Sequence, residues 1–145
     1  MIKISTKGRY GTRLMLNLAR SYTFPNQAII LKSISKEEEI PIRYLEQIII
    51  PLKINKLVKS IRGAGGGYFL ARSPAKISVY EILEALEGPI NLVDCVENPP
   101  DCHRSRNCVT REIWCEASLL LRDYFQKTTL HDLLLRERKK RKDKI

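Results

Sequence analysis

Leu57-Val58-Lys59-Ser60-Ile61-Arg62-Gly63-Ala64-Gly65-Gly66-Gly67-Tyr68-Phe69-Leu70-Ala71 reads as strand, glycine-rich turn, strand. Four of the chain's seven glycines fall in this one turn, so its backbone must adopt positive φ angles or approach another surface closely. Three helical patterns precede it. The first takes Ser5 or Thr6 as its cap, sets Leu14, Met15, Leu18 and Ala19 at helical spacing, and should end before the turn-forming Phe24-Pro25-Asn26. The second is a short helix from Leu31 to Glu39, with Ser33 or Ser35 as cap and its three consecutive glutamates on the exposed side. Ile40-Pro41-Ile42 then bends the chain into the third. There Leu45, Ile48, Ile49 and Leu52 recur at i, i+3, i+4 and i+7, leaving Arg43, Glu46, Gln47 and Lys53 on the opposite face. Pro51 interrupts this helix at a cost of about 3 kcal/mol, through a lost backbone bond and a clash, which predicts a kink or an early end. Helix, turn, helix, hairpin in that order is a winged helix-turn-helix.

Outward on the C-terminal side, Ser78 and Glu81 form a capping box, Ile82, Leu83 and Leu86 share one face, and Gly88-Pro89 is the stop. Cys95, Cys102 and Cys108 follow in a glycine-free, proline-bearing loop. After it, Ile113, Ala117, Leu120 and Tyr124 step by four, three and four, widened by Trp114, Leu121 and Phe125. An apolar strip this wide on a chain of 145 residues calls for a partner, and a second copy is the simplest one. Leu130 to Leu135 adds a short helix. The expected fold class is mainly α with a small β-hairpin wing: a winged helix-turn-helix plus a long dimerisation helix. Three segments result: a DNA-binding head over 1–72, a capped helix with cysteine loop and dimerisation helix over 73–135, and a basic tail over 136–145 expected to be disordered.

A net charge of +10 points to a polyanionic partner, and its distribution sharpens the point. Arg136 to Lys144 supplies half of it. Residues 1–20 carry Lys3, Lys7, Arg9, Arg13 and Arg20 with no acid, and Arg43 to Arg62 sets five cations against Glu46. Residues 75–101 reverse the sign, with Lys76 facing Glu81, Glu84, Glu87, Asp94, Glu97 and Asp101. On duplex DNA, Arg43, Tyr44, Glu46 and Gln47 at the start of a recognition helix would meet base edges or phosphates. Arg62 at the wing tip suits a narrow minor groove, with Gly63 and Gly65 letting the backbone come close and Ser60 beside them as a further DNA-binding residue. Lys7, Arg9 and Lys59 would hold phosphates. The glycine turn is no nucleotide loop, because no Lys-Ser/Thr pair follows it.

Residues 1–13 lack the apolar run of a signal peptide and no stretch is long enough to span a bilayer, so a cytoplasmic, reducing location is expected and no membrane association. Cysteines there serve as metal ligands or reactive thiols rather than disulfides. Grouped thiolates suit a soft metal or an iron-sulfur cluster. Zinc held by Cys95, Cys102, Cys108 and His103 is the alternative, as is a loop without metal. Cys115 is expected as a buried apolar cysteine and His131 as a surface residue. An enzyme is not expected, since a thiol nucleophile needs a base and neither of the two histidines sits in a nucleophile motif.

Tyr44-Leu45-Glu46-Gln47, Leu57 to Ser60, Arg62 to Tyr68, Glu87-Gly88 and the three-cysteine loop followed by Trp114 together resemble the IscR/NsrR family of winged-helix regulators, often called the Rrf family. The resemblance runs from about Met1 to Leu134. It implies a homodimer on a palindromic operator of double-stranded DNA, with the third helix in the major groove and the wing in the adjacent minor groove. It also implies a [2Fe-2S] or [4Fe-4S] cluster sensing cluster supply, nitric oxide or redox state, since Cys95, Cys102 and Cys108 fall where the ligating cysteines do. Some members add a histidine three residues after the last cysteine, where this chain has Arg111. Others use an acidic residue of the partner's first helix, whose place falls at about Arg9.

Overall fold

The computed structural model of the chain describes residues 3–22 and 27–144; the Phe24-Pro25-Asn26 turn lies outside them. Helix α1, Thr6–Arg20, starts where the Ser5 hydroxyl accepts from the Gly8 N–H, and its apolar face is buried as its spacing requires. The helix also carries Gly8 and Gly11, one turn apart, against the end of α4 (Val79–Glu87). A Cβ on Gly8 would lie 1.8 Å from Glu87 Oε1, and one on Gly11 2.1 Å from Leu86 Cδ1. The two helices therefore meet closer than side chains would allow.

Helix α2, Leu31–Glu38, differs from expectation at its start. Its N-cap is Ile30, with no side-chain cap, because the chain enters it directly from a backbone bridge at Ile29. Neither serine caps it; Ser35 Oγ instead donates to the Ile40 carbonyl at 2.6 Å, tying the inter-helix turn together. Glu39, at φ 53, ends the helix. Helix α3, Ile42–Ile54, buries Leu45, Ile48, Ile49 and Leu52 and runs past Pro51 instead of ending there. Pro51 stands in its last turn and forgoes the bond that an N–H there would make to the Gln47 carbonyl. Fully buried Leu52 holds the chain beyond it, and Asn55 closes the end by donating to the Pro51 carbonyl at 2.8 Å.

Strands β1 (Val58–Ile61) and β2 (Gly67–Leu70) pair antiparallel, Val58 opposite Leu70 and Ile61 opposite Gly67. Ile29 adds a separate one-residue rung to β2 by exchanging two 2.8 Å backbone bonds with Tyr68. Gly67, expected in the turn, lies in the strand because of that rung: at φ +148 its absent Cβ would sit 2.6 Å from the Ile29 carbonyl. The glycines at the tip do the bending, with Gly63 at φ 91 and Gly65 at φ 73.

The Ser78–Glu81 capping box and the Gly88 stop bound α4 as read from the sequence. Its Ile82 and Leu86, together with Ile77 and Leu130, join the cluster built by α1, α2, α3 and the hairpin, so the head's core extends past residue 72. After α4 come a short helix α5 (Asp94–Glu97) and single turns at Pro99–Asp101 and Ser105–Asn107, then α6 (Val109–Lys127) and α7 (Leu130–Lys142). The tail expected to be disordered is helical as far as Lys142. A Thr129–Asp132 capping box starts α7, its cations suit the helix C-terminus, and Glu137 anchors it to Arg20. Among the described residues no helix is long and apolar enough to cross a membrane.

Candidate nucleic-acid interface and cysteine segment

On α3 the exposed residues Arg43, Glu46 and Gln47 lie within one turn on one face, and the same face continues through Ile50 and Ile54, 58% and 72% exposed. The two isoleucines went unnoticed in the sequence, although i+7 and i+11 from Arg43 put them on this strip. Tyr44 is differently placed from its neighbours. Half-buried, it packs edge-on against Tyr10 with ring centroids 5.3 Å apart, so most of its ring serves the core. Lys59 and Ser60 are exposed on β1, and Arg62, Gly63 and Gly65 stand at the wing tip, where both glycines have open space around them. Lys7 and Arg9 sit at the start of α1, beside the end of α4, with Arg9 Nη2 donating to Thr6 Oγ1. That is the end of α1 remote from Arg20.

The turn that presents α3 is braced by a carboxylate. Glu38, the last residue of α2, was expected on the solvent side with Glu37 and Glu39, yet it is 7% exposed. It accepts from Arg20 Nη1 at 2.6 Å, Asn17 Nδ2 at 3.1 Å and Arg13 Nε at 3.3 Å, while Arg13 Nη2 also donates to the Glu38 carbonyl. Burial alone would raise this carboxyl's pKa; the bonds from Asn17 and Arg20, with the Arg20 charge, outweigh it and hold the group below its ordinary value. Arg20 reaches on to Glu137 of α7 at 2.7 Å. One guanidinium thus ties α1, the end of α2 and α7.

The four cysteines are free thiols, each half-buried. Cys95 lies in α5, Cys102 follows the Pro99–Asp101 turn, and Cys108 is the residue from which α6 begins. Among the described residues no three metal-ligating side chains are gathered, so the structure does not bring the three thiols together as the sequence led us to expect. Two contacts fold the segment back on itself. Arg111 Nε donates to the Cys95 carbonyl at 2.8 Å, and Ser118 Oγ accepts from the Leu92 N–H at 3.1 Å. Arg111 is thereby a strut between the two ends of the segment. The Thr110 hydroxyl, 3.2 Å from the Cys108 sulfur, and the Arg111 N–H lower that thiol's pKa. His103 is exposed and shares a shallow hollow with Cys108. Cys115, expected to be buried among apolar groups, is only half-buried, at the edge of a hollow lined by Pro89, Val96 and Leu119 together with Glu97 and Arg122, while His131 is exposed as expected. Three free thiols on one segment, one of them with its pKa lowered by its neighbours, are chemically suited to iron-sulfur or zinc ligation.

On α6 the apolar strip is open. Ile113, Leu120 and Tyr124 are 54%, 72% and 55% exposed, flanked by Val109, Trp114 and Leu119, an uncovered face beyond what scattered surface apolar residues account for.

An exposed recognition-helix face, a glycine-tipped wing and a basic head define a winged-helix DNA-binding regulator. The family model described as "Iron-dependent Transcriptional regulator" matches residues 4–136, and the chain belongs to that family, Rrf2. CymR of Bacillus subtilis is 39% identical over 132 residues, covering 91% of this chain and 89% of that protein. The solved structure of the same CymR, titled as that of the global cysteine regulator, superimposes with a TM-score of 0.75 at 40% identity, covering 92% of this chain and 96% of the other. The structure of T. potens IscR gives a TM-score of 0.75 at 35% identity, covering 94% and 88%. CymR of Bacillus subtilis and the IscR of Cereibacter sphaeroides, 33% identical over 139 residues, are named as transcriptional regulators and not as enzymes, in accord with the reading of the sequence.

Proposed function

We propose that the chain acts in the cytoplasm as a homodimeric regulator whose grip on a palindromic operator is set by an iron-sulfur cluster, [2Fe-2S] or [4Fe-4S], on Cys95, Cys102 and Cys108. The observation carrying this reading is the placement of three free thiols on the one segment that joins α4 to α6, strutted by Arg111. When bound, a cluster supplies a link that responds to oxidants, nitric oxide and iron supply. The chain's own residues convert its presence into geometry. Arg111 fixes the Cys95 end against the first turn of α6, and Ser118 fixes Leu92, so drawing the thiols together would shift α5 against α6. Since α6 presents the apolar strip, such a shift alters how two copies pair, and affinity changes by as much as the two states differ in binding. On DNA, Arg43, Glu46 and Gln47 read base edges with Tyr44 at their flank, and the exposed Ile50, further along the same face, would offer an apolar contact to a thymine methyl. Ser60, Arg62, Gly63 and Gly65 approach the minor groove, and Lys7, Arg9 and Lys59 serve as phosphate contacts.

Purification without oxygen, followed by visible spectroscopy, iron and zinc analysis and operator binding at fixed salt, tests the reading. A brown dimer with stoichiometric iron, binding its operator differently from the stripped protein, is expected. One zinc per chain with no iron would instead favour a structural site completed by His103. Equal operator affinity with and without the cluster would sink the proposed control.

A further inference from the structure

We propose that the cationic end of α7, Arg138 to Lys142, is a second duplex-binding surface that grips backbone phosphates flanking those reached by α3 and the wing. Five consecutive cations stand there, all exposed. Glu137 is the only carboxylate among the described residues that pairs with any of them, 3.9 Å from Arg141, and its charge is already shared with Arg20. A charge run free to wave in solvent would carry little information. This one is part of a capped helix whose position is fixed. The Arg20 guanidinium holds Glu38 at 2.6 Å and Glu137 at 2.7 Å, so the cationic end begins one guanidinium away from the last residue of α2. The turn from α2 into α3 lies on the side that a helix-turn-helix presents to DNA. The five residues beyond Glu137 extend the helix by about 7 Å from that point. Phosphates are the one feature a row of Lys and Arg recognises without sequence preference. The surface therefore adds affinity and salt dependence, not base discrimination.

This inference rests on the placement of α3 and the wing on duplex DNA proposed above. The test compares the full-length protein with a Lys139→Gln, Lys140→Gln, Arg141→Gln, Lys142→Gln variant. Fluorescence anisotropy follows binding to a labelled, non-palindromic duplex while NaCl is raised from about 50 to about 200 mM. Glutamine matches Lys and Arg in helix propensity, so circular dichroism should show α7 intact. Each phosphate neutralised contributes about 0.9 to the slope of log K against log salt, so the variant's slope should be shallower by about 2–3. Its affinity at the lowest salt should fall about tenfold or more. A wild type that binds steeply and a variant with the same slope would overturn this inference alone. A wild type that binds no duplex at any salt would remove the reading of α3 and the wing, and this surface with it.

Discussion

Replacing Glu38 by glutamine isolates the brace behind the recognition helix, because the side chain keeps its shape but loses its charge and exchanges one acceptor oxygen for an NH2 donor. In the wild type this carboxylate accepts from Arg20 at 2.6 Å, Asn17 at 3.1 Å and Arg13 at 3.3 Å. Hydrogen bonds to a charged group each contribute about 1.5–3 kcal/mol in buried settings. Here the acceptor side chain is 8% exposed, but the arginine side chains are 29% and 46% exposed, so solvent takes a good part of the two ionic contributions. A net loss of about 2 kcal/mol is the expectation at neutral pH, with some acceptance kept by the amide oxygen. For a chain of this size that lowers Tm by about 4–8 °C. The pH dependence has a definite sign. The folded pKa of Glu38 lies below its ordinary 4.5, so its contribution is complete above that value and disappears as pH falls through the lower, folded one. Urea unfolding at fixed protein concentration, repeated at neutral pH and at several values below about 4.5, should show the wild-type advantage constant and then shrinking. A variant within about 0.5 kcal/mol of wild type at neutral pH, a size ordinary for surface substitutions, would refute the brace. A gap that does not change with acid would show that the charge is not its source.

Gly67→Ala should destabilise the head by more than about 1 kcal/mol, because the new Cβ would lie 2.6 Å from the Ile29 backbone at a φ of +148; hydrogen exchange should show the Ile29 and Tyr68 amides opening first. Ser78→Ala removes one half of a capping box and should cost about 1 kcal/mol in chemical denaturation. Leu120→Glu should leave helix content unchanged, since the side chain is 72% exposed in the single chain, yet shift sedimentation from dimer to monomer if α6 is the pairing face.

Local signals were legible from residues alone. The Ser78–Glu81 box and the Gly88 stop needed nothing beyond four neighbours, and the buried face of α3 followed from its period. Signals that depend on distant partners were not. Glu38 sits between two other glutamates, and only Asn17, Arg13 and Arg20 on another helix distinguish it. Gly8 and Gly11 have no turn to make; what demands them is the approach of Leu86 and Glu87. The composition of the tail suggested disorder, but Thr129 caps its helix and Glu137 docks it. At the cysteines, spacing names the donors and leaves their convergence to the backbone between them.

The start of α4 and the start of α7 share a single joint. Ser78 and Thr129, each the N-cap of a capping box, face one another across a two-residue bridge, with Val79 donating to the Thr128 carbonyl at 2.8 Å and Leu130 to that of Ile77 at 3.0 Å. The exit of α6 is thus soldered to the head, with no glycine between Lys127 and Leu130 to absorb a twist. A neck so stiff makes spacing a matter of angle and not of tether: two heads joined along α6 would stand a fixed distance apart, and a few degrees of roll between those helices would be enough to throw one head out of step with the groove.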